Sequence, residues 1–213
     1  MEKIKIYDAS LREIGIDDRD HAHENGEWHK VFHCWICNSD NRSILFQLRS
    51  AKKTDYPSVL DISAAGHLQA HEDIQDGIRE VSEELGIDVP FSNLYDLGYR
   101  VEVDDTDNGR KNREYQAVFL ANIRQDLSYY SPQKEEVAGL YWLNVDDALD
   151  LFSGNGCEKT MWGITYDSNS ARWRQSIMHA SIGDFLPRIQ HYYLTIAIMC
   201  ERLFANKFPL AIS

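Results

Sequence analysis

The stretch GHLQAHEDIQDGIREVSEELGI, from Gly66 to Ile87, carries the reading of this chain. Ile74, Ile78, Val81 and Leu85 recur at i, i+4, i+7 and i+11, the spacing of one buried stripe on a helix. The pattern predicts a helix from Asp73 to Leu85 that stops at Gly86, since glycine takes the left-handed backbone that closes helices. Glu80, Glu83 and Glu84 fall on the opposite face. Like charges so spaced destabilise a bare helix by roughly a few tenths of a kcal/mol per pair. Arg79 is the only cation between Ile74 and Gly86, so it offsets part of that. A divalent cation would turn the repulsion into binding, because hard cations take several carboxylate oxygens. A solvated acidic face is the alternative.

Outward from this helix, strand-like runs stand upstream at Val31–Cys37 and Ile44–Arg49, joined by the turn NSDNR. Downstream strands are expected at Leu97–Val103, Tyr115–Ala121 and Gly139–Leu143, the first two linked by the polar turn DDTDNGRKN. Asn144, Asp146 and Asp147 open a short helix. After Phe152 the run SGNG is a break. It is followed by a poorly periodic stretch with Trp162, Tyr166 and Trp173, then a helix from Pro187 to Asn206. The expected class is α/β, a mixed sheet with helices packed on it over 1–152, then a helical C-terminal extension over 153–213.

The last helix has Tyr192, Leu194, Ile198 and Leu203 on more than one side, so it needs two partners. One is the core; the other is a second copy of the chain in a homodimer, or the extension's own aromatic segment folded back as a lid.

The formal net charge of −12 argues against a chain that grips nucleic-acid backbones, and leaves room for a small phosphorylated ligand in a local basic pocket. Cys34 and Cys37 have C-x-x-C spacing but lie on a strand, which sends them to opposite faces, so a shared metal or redox role is not expected. With Cys157 and Cys200 they read as ordinary thiols. The N-terminal residues lack an apolar signal region and Tyr192–Cys200 is too short to span a bilayer; a cytoplasmic location is expected.

The stretch from Gly66 resembles the Nudix box, G-x5-E-x7-R-E-U-x-E-E-x-G-U with U aliphatic. Gly66 and Glu72 match its first half; Arg79, Glu80, Val81, Glu83, Glu84, Gly86 and Ile87 match its second. The spacer between Glu72 and Arg79 has six residues where the family has seven, and His71 stands where glycine is common. The resemblance implies an α/β/α sandwich, Mg²⁺ or Mn²⁺ held by Glu80, Glu83 and Glu84, and an arginine, Arg79, that orients carboxylates.

A second resemblance runs through WHKVFHCWICN, LFQLRSAKKTDYP and AAGHLQAHE, which look like the isopentenyl-diphosphate isomerase branch of the superfamily. It implies metal histidines at His23, His29 and His67, a diphosphate pocket at Arg49 and Lys53, and the second of two paired glutamates at Glu114. Ala65 stands where the isomerase has its cysteine, and Asn112 where it has the first paired glutamate. Alanine has no proton to give, so hydrolysis of a pyrophosphate linkage is the expected reaction. Isomerase-like chemistry and a non-catalytic nucleotide sensor are the alternatives.

Glu135 and Glu136 sit where many members carry a further metal-binding or base glutamate. The implied site is therefore Glu83, Glu84 and Arg79 for catalysis, with Glu80, Glu83, Glu84, Glu136 and His67 on the metal. Arg49, Lys53, His29 and Glu114 would contact substrate. Each histidine is alternatively a hydrogen-bonded structural residue, and Arg49 and Lys53 a solvated rim. Trp28, Tyr56 and Trp142 are candidates to stack on a base, with core packing the other role for Trp142.

Overall fold

The computed structural model describes residues 2–105 and 109–212, so part of the turn DDTDNGRKN lies outside the described residues. The N-terminal strands are β1 (Lys3–Tyr7), β2 (Glu13–Asp18), β3 (Trp28–Asn38), β4 (Ser43–Arg49), β5 (Leu60–Asp61) and β6 (Ala64–His67). They are followed by β7 (Tyr95–Asp105), β8 (Lys111–Asn122), β9 (Val137–Asn144), β10 (Lys159–Asp167) and β11 (Arg172–Ala180). The helices are α1 (Arg19–Asn25), α2 (Arg79–Leu85), α3 (Val145–Phe152) and α4 (Tyr192–Phe204). The path through the sheet runs β11-β10-β9-β4-β3-β1-β2, with β8 parallel to β3 and β7 outside β8.

β3 is the hub. It pairs β1 at its start, β6 in its middle, β4 at its end and β8 along its other edge. Alternation along β3 explains why it reads as an almost unbroken apolar run: both its faces are covered. Phe32, Cys34 and Ile36 join Val81 and Leu85 of α2 in one core. Trp35 and Cys37 point the other way, into a core closed by Ala148 and Leu151 of α3 and Ile196 and Ala197 of α4. Each fully buried large side chain contributes about 1.5–3 kcal/mol. Cys34 and Cys37 thus lie on opposite faces as expected; these two and Cys200 are buried, and Cys157 is exposed.

The acidic helix keeps its predicted stripe, with Ile74 and Ile78 packed against the buried Val81 and Leu85. Its first turn is a 3₁₀ helix, Ile74–Ile78, capped by reciprocal bonds between Asp73 and Asp76, before α2 proper begins at Arg79. A 3₁₀ turn rises about 2.0 Å per residue against about 1.5 Å in an α-helix. The tighter winding offsets the missing spacer residue. Gly86 closes α2 in the left-handed region, φ 67°, as expected.

The extension is not all helical. Its first half is the hairpin β10–β11, which continues the sheet through Trp162↔Trp142 and Ile164↔Leu140. A strand with one face half open lacks the helical period, which is why it read as irregular. The final helix begins at Tyr192 rather than Pro187, because Gln190 and His191 take left-handed backbone. It turns Tyr192, Tyr193, Ile196, Ala197 and Cys200 inward and leaves Ile198 exposed. Its inward face packs on the sheet core and on α3. No helix among the described residues is long and apolar enough to cross a membrane.

Candidate active site

The N-terminal end of α2, β6, the end of β4, the inner faces of β7 and β8 and the segment before α4 surround a cavity of about 630 Å³. Arg79 organises one wall. Its Nε donates to Glu72 Oε1 at 2.6 Å and its Nη2 to Glu72 Oε2 and the His67 carbonyl, both at 3.0 Å. Its Nη1 donates to Glu80 Oε1 at 2.7 Å and Glu83 Oε2 at 2.9 Å. One guanidinium therefore sets three box carboxylates, a role that suits its planar fork. The second glycine-dependent feature is Gly66: a Cβ there would overlap the Glu80 carboxyl, so a side chain at 66 would push Glu80 aside.

Glu84 is buried beneath this layer. Its Oε2 accepts from Gln47 Nε2 and from the Ala65 backbone N–H, each at 3.1 Å, and Lys53 Nζ stands 3.8 Å from Oε1. Lys53 also pairs with Glu136. Burial pushes the Glu80 carboxyl up to about 7 against the attraction of Arg79, and the Glu84 carboxyl up to about 8 against that of Lys53. The nearby carboxylates reinforce both shifts, and Glu136 acts on each. The buried Glu84, the part-buried Glu80 and Glu136 and the exposed Glu83, with one lysine among them, offer only oxygen donors, a chemistry that suits Mg²⁺ or Mn²⁺. Glu80, Glu83, Glu84 and Glu136 could hold such an ion.

A separate cluster joins His23 of α1, His29 of β3 and His67 of β6, with one ring nitrogen from each inside 4.8 Å of the others. His29 Nδ1 donates to the Glu27 carbonyl at 2.8 Å, which leaves Nε2 as a bare lone pair; that atom is buried with no hydrogen-bond partner. His23 Nε2 and His67 Nε2 lie 3.0 Å apart. Burial lowers all three below the ordinary histidine value, His23 to about 3, so all three are neutral and able to ligate. Glu114 Oε1 is 4.0 Å from His29 Nε2. An orphaned buried nitrogen among neutral imidazoles fits a cation with nitrogen affinity. His67 therefore belongs with this cluster, while its backbone carbonyl serves the Arg79 layer.

Arg49 faces the cavity but is occupied. It donates to the Tyr56 and Asp55 carbonyls at 2.9 and 2.8 Å, and to Asp61 Oδ2 at 3.3 Å, ordering the loop after β4. Lys53 lines the cavity too, between its two glutamates. Of the aromatic candidates only Tyr56 lines it; Trp28 stacks on Tyr115 at 4.6 Å and Trp142 lies in the core. Trp162, Tyr166 and Trp173 are on the hairpin and do not contribute to the lining. Sequence reading missed His33, Asp61, Glu102 and Arg188, which line the inner wall. Asp61 stands in a two-residue strand between Val59 and Ile62, and Arg188 falls at the start of the stretch expected to be helix from Pro187, so neither carried a local signal.

A mixed sheet covered on both faces, with an acidic helix lining a polar cavity, defines an α/β protein whose carboxylates gather on one wall of that cavity. The NUDIX domain model matches residues 27–159, and the chain belongs to the Nudix hydrolase family. An uncharacterised Nudix hydrolase of Clostridium acetobutylicum is 31% identical over 196 residues, covering 90% of this chain and 93% of that protein. An isopentenyl-diphosphate Delta-isomerase of Photorhabdus laumondii is 29% identical over 156 residues, 64% of this chain and 88% of the isomerase. A crystal structure of a Deinococcus radiodurans protein shares the fold, with a TM-score of 0.52 at 20% identity over 71% of this chain and 89% of the other.

Proposed function

We propose that this chain cleaves a pyrophosphate linkage in a nucleoside diphosphate derivative or a related organic pyrophosphate, dependent on Mg²⁺ or Mn²⁺. In that reaction water attacks one phosphorus, the bond from that phosphorus to the bridging oxygen breaks, and the products are two phosphate species. A bound divalent cation would supply a more acidic water and charge neutralisation for the diphosphate. The observation that carries the reading is Arg79 holding Glu72, Glu80 and Glu83 while Glu84 and Glu136 meet at Lys53. Glu80, Glu83, Glu84 and Glu136 would hold the cation. Lys53 tempers their repulsion and is positioned to move onto a phosphate oxygen when a cation takes the carboxylates. A panel of nucleotide sugars, dinucleotides and nucleoside triphosphates, assayed for phosphate-bond cleavage with and without Mg²⁺, tests this. Cleavage without added cation, or none of any substrate with it, rejects the proposal.

A second reading, isoprenoid isomerisation, is favoured by the histidine cluster and its neighbour Glu114. Ala65 speaks against it: its backbone N–H is committed to Glu84, and its methyl group offers no acid. Asn112 beside His23 is likewise neutral. The non-catalytic sensor has no support in the box, where each glutamate is present.

A further inference from the structure

The inner wall of the cavity carries charges that cleavage of a diphosphate does not use. Asp61 at the end of β5, Glu102 on β7 and Arg188 before α4 line it; Asp61 and Glu102 are buried, and the Arg188 side chain is 9% exposed. Arg188 is brought there by the backbone: Leu60 bridges Phe185, and the Leu186 N–H donates to the Leu60 carbonyl at 2.8 Å. Arg188 Nη2 then donates to Asp61 Oδ1 at 2.8 Å, and its Nη1 lies 3.6 Å from Glu102 Oε2. The other Asp61 oxygen takes Arg49, and Glu102 also takes Arg100.

His33 completes the wall. Trp35 Nε1 donates to the Tyr192 hydroxyl at 2.9 Å, and that hydroxyl lies 3.1 Å from His33 Nδ1. The indole can only donate, so the tyrosine proton is best spent on Nδ1. Nε2–H is then the remaining donor of a ring that lines the cavity.

Three guanidiniums (Arg49, Arg100, Arg188) meet two carboxylates (Asp61, Glu102), and Arg100 continues through Gln116 to a third, Glu114. The charges balance, so a further ionised group finds no excess of opposite sign. A hydrocarbon would strip water from these groups and return no hydrogen bond, which is costly. A hydroxyl both donates and accepts, and so satisfies a wall of carboxylate acceptors and guanidinium and imidazole donors.

We propose that this wall, centred on Arg188, is a recognition subsite for the hydroxylated, sugar-like part of a diphosphate ester, and that Arg188 determines specificity. This rests on the diphosphate reading above. A site built to bond a hydroxyl discriminates strongly against an analogue that lacks it.

The test compares two five-carbon ligands, the methylene-bridged, non-hydrolysable analogues of ribose 5-diphosphate and of isopentenyl diphosphate. Binding is measured by calorimetry in Mg²⁺ for the intact protein, Arg188→Leu and Glu102→Gln. The intact protein should prefer the ribosyl analogue by about tenfold or more. Arg188→Leu should cut that preference to about threefold or less, and Glu102→Gln should reduce it in the same direction. Equal affinities in the intact protein overturn the subsite. A full preference retained in cooperatively melting Arg188→Leu overturns the role of Arg188. If that variant does not fold, Glu102→Gln decides by the same criterion. Binding needs no turnover, so the two proposals fail separately. A protein that cleaves no diphosphate yet prefers the ribosyl analogue loses the hydrolase reading and keeps the subsite. One that cleaves without preference does the reverse.

Discussion

Arg79 grips Glu72 at two points, Nε to Oε1 at 2.6 Å and Nη2 to Oε2 at 3.0 Å, while its remaining nitrogen spans Glu80 and Glu83. Because one side chain positions three carboxylates, replacing it should disorder the site more than the fold. Arg79→Lys keeps the charge and loses the fork. Its expected outcome is a fall in kcat of about 10²-fold, with a rise in the Mg²⁺ concentration needed for half-maximal activity. Metal-titrated kinetics checks this, and an unchanged metal requirement would remove Arg79 from the positioning role.

Glu84→Gln and Glu83→Gln conserve size and remove charge. In Glu84→Gln the amide oxygen still accepts from Gln47 and Ala65, so cooperative melting should persist. Turnover should drop by about 10²–10⁴-fold in each variant. Unchanged turnover in either one takes that residue out of the cation set.

Gly66→Ala is a steric test of the same layer. The added methyl group meets only the Glu80 carboxyl among its nearest neighbours, a flexible side-chain end that can move. The expected result is a folded protein with weakened Mg²⁺ binding, read by titration with Mn²⁺ as a spectroscopic probe. Wild-type affinity would mean that Glu80 does not ligate.

The histidine cluster predicts a second, chemically different cation. Co²⁺ bound to nitrogen ligands gives a characteristic absorption, expected in the intact protein and lost in His29→Gln. Cleavage supported by Mg²⁺ through the box carboxylates should survive that change better than it survives Glu84→Gln. No Co²⁺ spectrum in the intact protein would make the three rings structural.

Asp61 supplies a test by pH. Burial raises its carboxyl, but Arg188 and Arg49 outweigh burial and hold it below the usual carboxylate range. Its stabilisation is therefore fully present above the unfolded value of about 3.9 and is lost as pH falls through the lowered folded value. Asp61→Asn should cost about 3–5 kcal/mol at pH 7 by removing the carboxylate that Arg188 and Arg49 share. It should also flatten the loss of stability in acid. Urea melts at pH 7 and in the acid range read both.

Local rules covered much of this molecule, for reasons visible in particular residues. The stripe Ile74, Ile78, Val81, Leu85 and the stop at Gly86 depend on spacing within a few turns, so they survive without tertiary context. The alternation that separates Cys34 from Cys37 is equally local. The β10–β11 hairpin was invisible because its residues gain their meaning from pairing with β9, and the 3₁₀ turn because periodicity does not distinguish it from α.

The sequence by itself determined the family and the acidic helix, since both rest on residue types at short, fixed spacings, while the three histidines are reached only through the resemblance to the isomerase branch. Only the tertiary structure decided what lies opposite them. Arg188 and Asp61 are 127 positions apart, and His33 and Tyr192 are 159 apart. Such pairs leave no periodic or capping signal. They meet because sheet order sets β5 against the segment before α4, and a buried charge is stable only where that folding delivers its partner.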